Sequence, residues 1–150
     1  MVDDARLRTK VYLETWLNNA NLMKDNDTSQ VAFIVAYGNP DYPLTQIFND
    51  KNVDLVFSIG DPDSEAIADS DHYPIGYKET VPIIIFCVDK TGITGAKLRW
   101  KAEAELRRVI EQHPEGSQRS LEKIRDNDKN LGSTILYSRE FALKYVRDTT

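Results

Sequence analysis

The pattern of apolar and polar positions changes period in the middle of the chain. Residues 81–88 (VPIIIFCV) form an apolar run rich in β-branched side chains, which predicts a strand buried on both faces. After the turn signals at residues 89–92, apolar residues recur at steps of three and four until Pro114, which predicts a long helix. The apolar stripe of this helix consists of Leu98, Ala102, Leu106, Val109 and Ile110.

The N-terminal region predicts a helix with two apolar surfaces. Asp3 or Asp4 can cap this helix, which we expect to run to about Asn21. Leu7 and Val11 lie well round from the main apolar face, so they either lie between two layers of the core or contact a partner. The main face consists of Leu13, Trp16, Leu17 and Ala20.

Two shorter strands are predicted before residue 60. Residues 31–37 are an apolar run that ends at the turn 38–40 and predict a strand. In residues 53–59 large apolar side chains occupy every second position, which predicts a strand with one face more buried than the other. Residues 41–50 carry a weak signal, and we expect irregular or edge structure there. Its predicted local anchors are Tyr42, Leu44, Ile47 and Phe48.

The most acidic stretch is residues 60–73 (GDPDSEAIADSDHY). A calcium loop would need glycine at Ala66 and a bidentate glutamate at His72, so we expect a solvated hairpin loop and no metal site. The carboxylates of this loop are Asp61, Asp63, Glu65, Asp69 and Asp71.

The remaining signals complete an α+β domain. Pro82 cannot donate to a ladder, so we expect it at an edge, at a bulge or where a long strand changes partners, with a bend. Leu121 and Ile124 suggest one or two helical turns, and residues 135–145 alternate as a long amphipathic strand. The predicted fold is a single domain, residues 1–150, with a mostly antiparallel sheet covered on one face by the long central helix and the N-terminal helix.

One side of the final strand is predicted to be apolar and the other polar. The apolar side carries Ile135, Tyr137, Phe141, Leu143 and Tyr145, and the polar side carries Ser138, Glu140 and Lys144.

Composition narrows the class of protein. The chain has 150 residues, a formal net charge of −5 and no apolar run near the roughly 20 residues that span a bilayer. The charge argues against broad binding to phosphate backbones, although an acidic lumen facing passing DNA is compatible with it. Residues 1–10 lack an export signal, so we expect synthesis in the cytoplasm and no membrane association.

Candidate catalytic residues are few. Cys87 lies inside the apolar run, which favours a buried structural thiol, and His113 lies at the last turn of the central helix, where a capping role is favoured. Gly92, Gly95 and Lys97 do not match the spacing of a phosphate-binding loop, so turn geometry is the simpler explanation of the glycines. We therefore expect no cofactor, no metal and no enzymatic activity.

The central helix carries charged pairs four residues apart, which predict a solvated face. Trp100 projects away from the apolar stripe between Ala96 and Ala104. Such a tryptophan is either shielded by neighbouring arginine side chains or buried by another subunit. The charged pairs are Arg99/Glu103, Lys101/Glu105, Glu103/Arg107 and Arg107/Glu111.

The order of these elements resembles the tail-terminator and tail-completion (head-tail joining) proteins of long-tailed bacteriophages. The likeness rests on the N-terminal helix, the segment YKETVPIIIFCVDKTG, the helix KLRWKAEAELRRVIEQHP and the returning strand STILYSREFALKYVRD. The acidic loop and the predicted helical turns at residues 121–124 have no assigned counterpart in those proteins.

The resemblance implies a non-enzymatic α+β subunit of the virion tail or neck. Such subunits form a ring, commonly hexameric, that caps the tail tube and docks to the head-completion or connector protein. DNA then passes through the lumen without specific binding. The candidate subunit interface is Trp100, Leu7 and Val11, and the acidic loop is expected to contact an adjacent ring or line the lumen.

Two other classes of function stay open on the sequence. One is a cytoplasmic ligand-binding or small enzymatic α+β domain, which needs a pocket with convergent polar groups. The other is a small adaptor that dimerises through the first helix. Mass measurement in solution, with and without a tail-tube partner, distinguishes the three.

Overall fold

A computed structural model of the chain describes residues 5–22, 31–37, 44–68, 74–89, 94–114, 116–132 and 134–148. Within these ranges the helices are α1 (Ala5–Trp16), a 3₁₀ helix (Asn19–Leu22), α2 (Leu44–Asp50) and α3 (Gly95–Gln112). The strands are β1 (Phe33–Tyr37), β2 (Leu55–Ile59), β3 (Asp63–Ala68), β4 (Pro74–Val88), β5 (Ser117–Asp126), β6 (Lys129–Asn130) and β7 (Ile135–Asp148). In the described part of the chain, every helix is too short or too polar to cross a bilayer.

The strands form one mixed sheet in the order β1-β2-β4-β7-β5, with β3 paired to β4 and β6 paired to β7. β1 and β2 are parallel, and all the other pairs are antiparallel. The predicted α+β class with a mostly antiparallel sheet is confirmed.

Strand β4 changes partners at Pro82. Its first half pairs with β3 up to Asp63↔Thr80, and its second half pairs with β2 from Ile59↔Ile83 onward. The Pro82 carbonyl accepts a hydrogen bond from the backbone N–H of Gly60 at 2.9 Å. One of the positions expected for a proline in a long strand, a change of partners, is therefore confirmed.

Burial along the central strands differs from the sequence prediction. In β4, Ile83 and Ile85 are fully buried but Ile84 and Phe86 are half-buried, so the prediction of a strand buried on both faces is wrong. In β2 all five residues are buried, although one drier face was predicted. The reason is position, since β2 lies between β1 and β4 and an apolar cluster packs on each of its faces.

The larger cluster joins α1 and α3 to one set of alternating sheet residues. Leu13 of α1 and Leu106 of α3 belong to it together with Ile83 and Phe141 of the sheet. The predicted apolar stripe of α3 lies entirely in this cluster. Phe141, Leu143 and Tyr145 of β7 are buried on the same side, as predicted, whereas Ile135 is exposed.

The smaller cluster corrects the prediction for residues 41–50. Residues 44–50 form the helix α2, where irregular structure was expected, and Ile47 and Phe48 pack with Val56 and Leu136. Of the four predicted anchors, Ile47 and Phe48 are confirmed as buried, and Leu44 is the first residue of α2. Tyr42 lies outside the described residues.

Two predicted non-strand segments are edge strands. Residues 63–68, predicted as part of a solvated loop, form β3, and residues 117–126, predicted to contain helical turns, form β5. In both cases a long neighbouring strand, β4 or β7, pairs with backbone that a local pattern does not mark as strand. Prediction from the local sequence pattern fails for edge strands because few of their side chains are buried.

The first helix is shorter than predicted. It ends at Trp16, and a 3₁₀ turn from Asn19 to Leu22 follows. Leu13 and Leu17 are buried as expected, but Trp16 and Ala20 are exposed. Asp3 and Asp4, the predicted caps, lie outside the described residues.

Candidate assembly surface

Helix α3 is held at both ends by side chains from other elements. At its start, the Thr94 side chain accepts from the Lys97 N–H, and an added Cβ at Gly95 would lie 2.1 Å from the Tyr137 ring. At its end His113 is the C-cap residue, as predicted, and the Tyr12 hydroxyl donates to its carbonyl. Gly95, the first residue of α3, is therefore explained by close packing and not by the turn geometry predicted for it, and Gly92 lies outside the described residues.

The side of α3 turned away from the core is an exposed ridge, which we call the α3 outer face. Trp100 stands on this ridge with 64% of its surface exposed. No cation–π or stacking contact involves Trp100 within the described residues, so the surrounding side chains leave the ring open to solvent. The α3 outer face consists of Ala96, Trp100, Ala104, Arg107 and Glu111.

The predicted solvated charged face of α3 is wrong at two positions. Glu105 is 2% exposed and Arg99 is 9% exposed. Glu105 accepts from Arg108 at 2.6 Å and 2.9 Å and from the Asn18 N–H at 2.6 Å, so it fastens the end of α1 to α3. Burial raises the pKa of Glu105, but the hydrogen bonds from Arg108, Asn18 and Asn21 together outweigh it, so the pKa is lowered.

A network of ion pairs fastens the other side of α3 to the β5–β7 hairpin. Arg139 donates to Glu103 at 2.6 Å and to both oxygens of Asp126, at 2.6 and 2.8 Å. The hydrogen bonds from Arg139 lower the pKa of Asp126 to about 2. Arg99 pairs with Asp128 in the same network, so Arg99 and Glu103 link α3 to the sheet.

A groove runs along each side of the α3 outer face. The larger has a volume of about 520 Å³ and is lined by Arg107, Ile110 and Glu111 of α3 and by residues 118–121 of β5; we call it the β5 groove. The smaller, of about 220 Å³, lies between Trp100 and Asn21 of the 3₁₀ helix. Sequence reasoning missed the β5 groove, because the prediction of helical turns at residues 121–124 removed the strand that forms one of its walls.

Two arginines are pre-oriented in the β5 groove. Arg107 donates through Nε to Glu103 at 2.9 Å and through Nη1 to the Leu121 carbonyl at 3.1 Å. Arg119 donates through Nε to the Ile110 carbonyl at 2.8 Å. Gln118 lies in the same wall and has a left-handed backbone with φ of 53°, a conformation that is uncommon for a non-glycine residue.

The other predicted interface residues lie on α1. Leu7 and Val11 are 52% and 55% exposed, on the side of the helix opposite buried Thr9 and Leu13. The alternative in which both lie between layers of the core is therefore wrong for the single chain. Leu7, Val11 and Trp100 are each exposed, on two different helices.

The described part of the acidic stretch lies at a sheet edge. Asp61 pairs with Arg6 at 3.0 Å, while Asp63 and Glu65 are exposed on β3 and their carboxylates make no hydrogen bond or ion pair within the described ranges. No cluster of metal-binding side chains occurs among the residues that the structure describes. Asp69, Asp71 and His72 lie outside them.

Two further titratable positions are internal. Cys87 is buried, as predicted, and burial raises the pKa of its thiol. Glu79 is 2% exposed and lies near Arg8 and Arg147, a contact between α1 and the sheet that the sequence did not predict.

His113 stacks on Trp16 with ring centroids 3.6 Å apart, which adds a contact between α1 and the end of α3.

Comparison with known proteins adds no family. No protein-family model matches the chain, and no curated protein matches its sequence.

Proposed function

We propose that this chain is a structural subunit that assembles into a ring at the head-tail interface of a long-tailed bacteriophage, where it caps the tail tube and docks to the head-completion or connector protein. The observation that carries the proposal is Trp100, 64% exposed at the middle of the α3 outer face. Tryptophan is enriched at the centres of protein interfaces, and a second subunit that covers Trp100 would bury its apolar surface.

The environment of Trp100 supports assembly. Ala96 and Ala104 lie one turn before and after it, so the ring stands above a low surface that another subunit can approach closely. The helix below is fixed by the Glu105 bonds on one side and by the Arg139 network on the other. A rigid, pre-organised surface loses little conformational entropy on binding.

The order of elements supports the viral assignment. The N-terminal helix, the long strand β4, the helix α3 and the returning strand β7 carry the resemblance to tail-terminator proteins, and α1 and α3 together cover one face of the sheet in this proposal. A ring needs two different surfaces on each subunit that fit each other and close. The net charge of −5 suits a lumen through which DNA slides without binding.

The direct test is to locate the chain in particles. We expect cryo-electron microscopy of the native virion to show a ring of this chain, hexameric in our proposal, between the tail tube and the connector. A chain found elsewhere in the particle, or outside it, would contradict the proposal.

A variant tests the role of the α3 outer face. Trp100→Ala is expected to weaken ring formation at least about tenfold while the circular dichroism spectrum and the unfolding midpoint stay unchanged. Ile124→Ala is the matched control, because Ile124 is also exposed, at 42%, but belongs to β5 and lines neither groove beside the α3 outer face. Rings formed equally well by both variants and the unchanged chain would refute the role of Trp100.

A further inference from the structure

We infer that the β5 groove binds the acidic β3 strand of a neighbouring copy, with Arg107 and Arg119 as the anchors for the carboxylates of Asp63 and Glu65. This inference rests on the proposed function and names the subunit contact that closes the ring. It differs from the sequence expectation, in which these carboxylates line the lumen or contact an adjacent ring.

The groove offers donors for a carboxylate. Each arginine is fixed by its Nε bond to the protein, which leaves Nη2 of Arg107 and Nη1 of Arg119 without a partner among the described residues. A fixed guanidinium with a free N–H group can donate a charge-assisted hydrogen bond to a carboxylate. Glu111 also lines the groove and Glu103 pairs with Arg107 beside it, so Arg119 is the arginine of the groove that no carboxylate pairs with among the described residues.

The β3 strand offers the matching acceptors. Asp63 and Glu65 are exposed, lie on the same side of the strand and are about 7 Å apart, because side chains two residues apart share a face. Ile67 follows on that side and is half-buried. Two carboxylates with an adjacent apolar side chain match two arginines with the apolar floor that Ile110 and Leu121 provide.

The sheet register places the β3 carboxylates and the β5 groove at the same level along the strands, on opposite edges of the sheet. Glu65 pairs with Lys78, which pairs with Val146, which pairs with Ser117. In this part of the sheet the strands run β3-β4-β7-β5, so β3 and β5 lie about 14 Å apart across three strand spacings. They cannot meet within one chain, so any contact between them joins two copies head to tail.

The direction of the side chains requires a rotation between the copies. Asp63 and Glu65 point to the same side of the sheet as Thr80 and Lys78, whereas α3 packs on the other side. A neighbouring copy must therefore turn to present its groove to them. A repeated rotation of this kind generates a closed ring when its angle divides a full turn.

Paired charge reversals test the contact in the full chain. Arg119→Glu and the double variant Asp63→Lys with Glu65→Lys are each expected to weaken self-association at least about tenfold, measured by sedimentation up to roughly 1 mM protein. A mixture of the two variants is expected to recover association, because each reversed groove then meets a reversed strand. Higher salt is expected to weaken association of the unchanged chain.

The controls carry the same charge changes outside the contact. Arg125→Glu lies on the same strand as Arg119 but beyond the groove, and Ser64→Lys lies on the other side of β3; both are expected to associate like the unchanged chain. Circular dichroism of every variant separates loss of contact from loss of fold.

The outcomes separate this inference from the proposed function. Association that is unaffected by the reversals, a mixture that fails to recover, or an unchanged chain that stays monomeric overturns the groove contact. Each of these results is compatible with a ring in the virion, which is tested by its location at the head-tail interface. A ring that is absent from the particle overturns the proposed function, whatever the variants do.

Discussion

Glu105 of α3 accepts a hydrogen bond from the backbone N–H of Asn18 at 2.6 Å, although 87 residues separate them in the sequence. Asn21 donates to the other oxygen at 2.8 Å, and Arg108 donates to both oxygens. A buried carboxylate thus joins the end of α1 to the middle of the helix that carries the proposed assembly surface.

Removal of this carboxylate should destabilise the fold. Glu105→Ala leaves the Asn18 N–H and the Arg108 guanidinium without their acceptor, and we expect a loss of about 2–4 kcal/mol in the free energy of unfolding. Urea denaturation measures it. Glu111→Ala, on the exposed side of the same helix, should stay within about 0.5 kcal/mol of the unchanged chain, and equal losses in the two variants would refute the role of Glu105.

The Asp126–Arg139 pair should make stability depend on acid pH. The pKa of Asp126 falls from 3.8 to about 2, chiefly because Arg139 donates two hydrogen bonds to the carboxylate. A folded-state pKa below that of the unfolded chain stabilises the fold above about pH 3.8, and this contribution is lost as the pH falls toward 2.

Denaturation of Asp126→Asn at several pH values tests this prediction. The variant should be less stable than the unchanged chain at about pH 6, and the difference should shrink toward zero near pH 2. Asp63→Asn, which removes an exposed carboxylate without an ion pair in the described ranges, is the control and should show no such convergence. A difference for Asp126→Asn that is independent of pH would contradict the assignment.

Gly95 should tolerate no side chain while Tyr137 is present. In Gly95→Ala the new Cβ would lie 2.1 Å from the Tyr137 ring, and we expect a loss of about 1–3 kcal/mol from the rearrangement. Combining it with Tyr137→Ala should cost less than the sum of the single changes by at least about 0.5 kcal/mol. Thermal unfolding of the four chains measures this coupling, and strict additivity would show that the ring is not the obstacle.

Cys87 should be unreactive in the folded chain. The thiol is fully buried and burial raises its pKa, so little thiolate forms and reagents cannot reach it. A chromogenic disulfide reagent should label the native protein only as fast as it unfolds and label the urea-unfolded protein at once. Immediate stoichiometric labelling of the native chain would show that the strand pairing around Cys87 opens readily.

Local patterns identified the elements whose side chains are buried on one side. The stripe from Leu98 to Ile110 predicted α3, and the alternation around Phe141 predicted β7, because burial along a regular backbone imposes its period on the sequence. The same logic identified Trp100 as the aromatic residue that does not follow the stripe. The exposed α3 outer face was therefore accessible to sequence reasoning.

The sequence predictions are wrong where pairing of the backbone with a neighbouring strand, and not burial of side chains, determines the structure. Residues 63–68 are a strand because β4 extends beyond β2, and residues 117–126 are a strand because they pair with the edge of β7 opposite β4; the side chains of both segments are mostly exposed. The β5 groove was missed for the same reason. Arg107 and Arg119 lie in one groove only because β5 runs beside α3, a proximity that their spacing in the chain does not indicate.

The sequence by itself determined the class of fold, the central helix and the outward position of Trp100, since each follows from periodicity. For Pro82 it left an edge, a bulge or a change of partners open. Tertiary structure alone decided that Glu105 and Arg99 are buried, that the acidic segment is an edge strand and that two arginines share a groove. The physical reason is that hydrogen bonds and ion pairs between distant segments depend on the register of the sheet, which involves the whole chain at once.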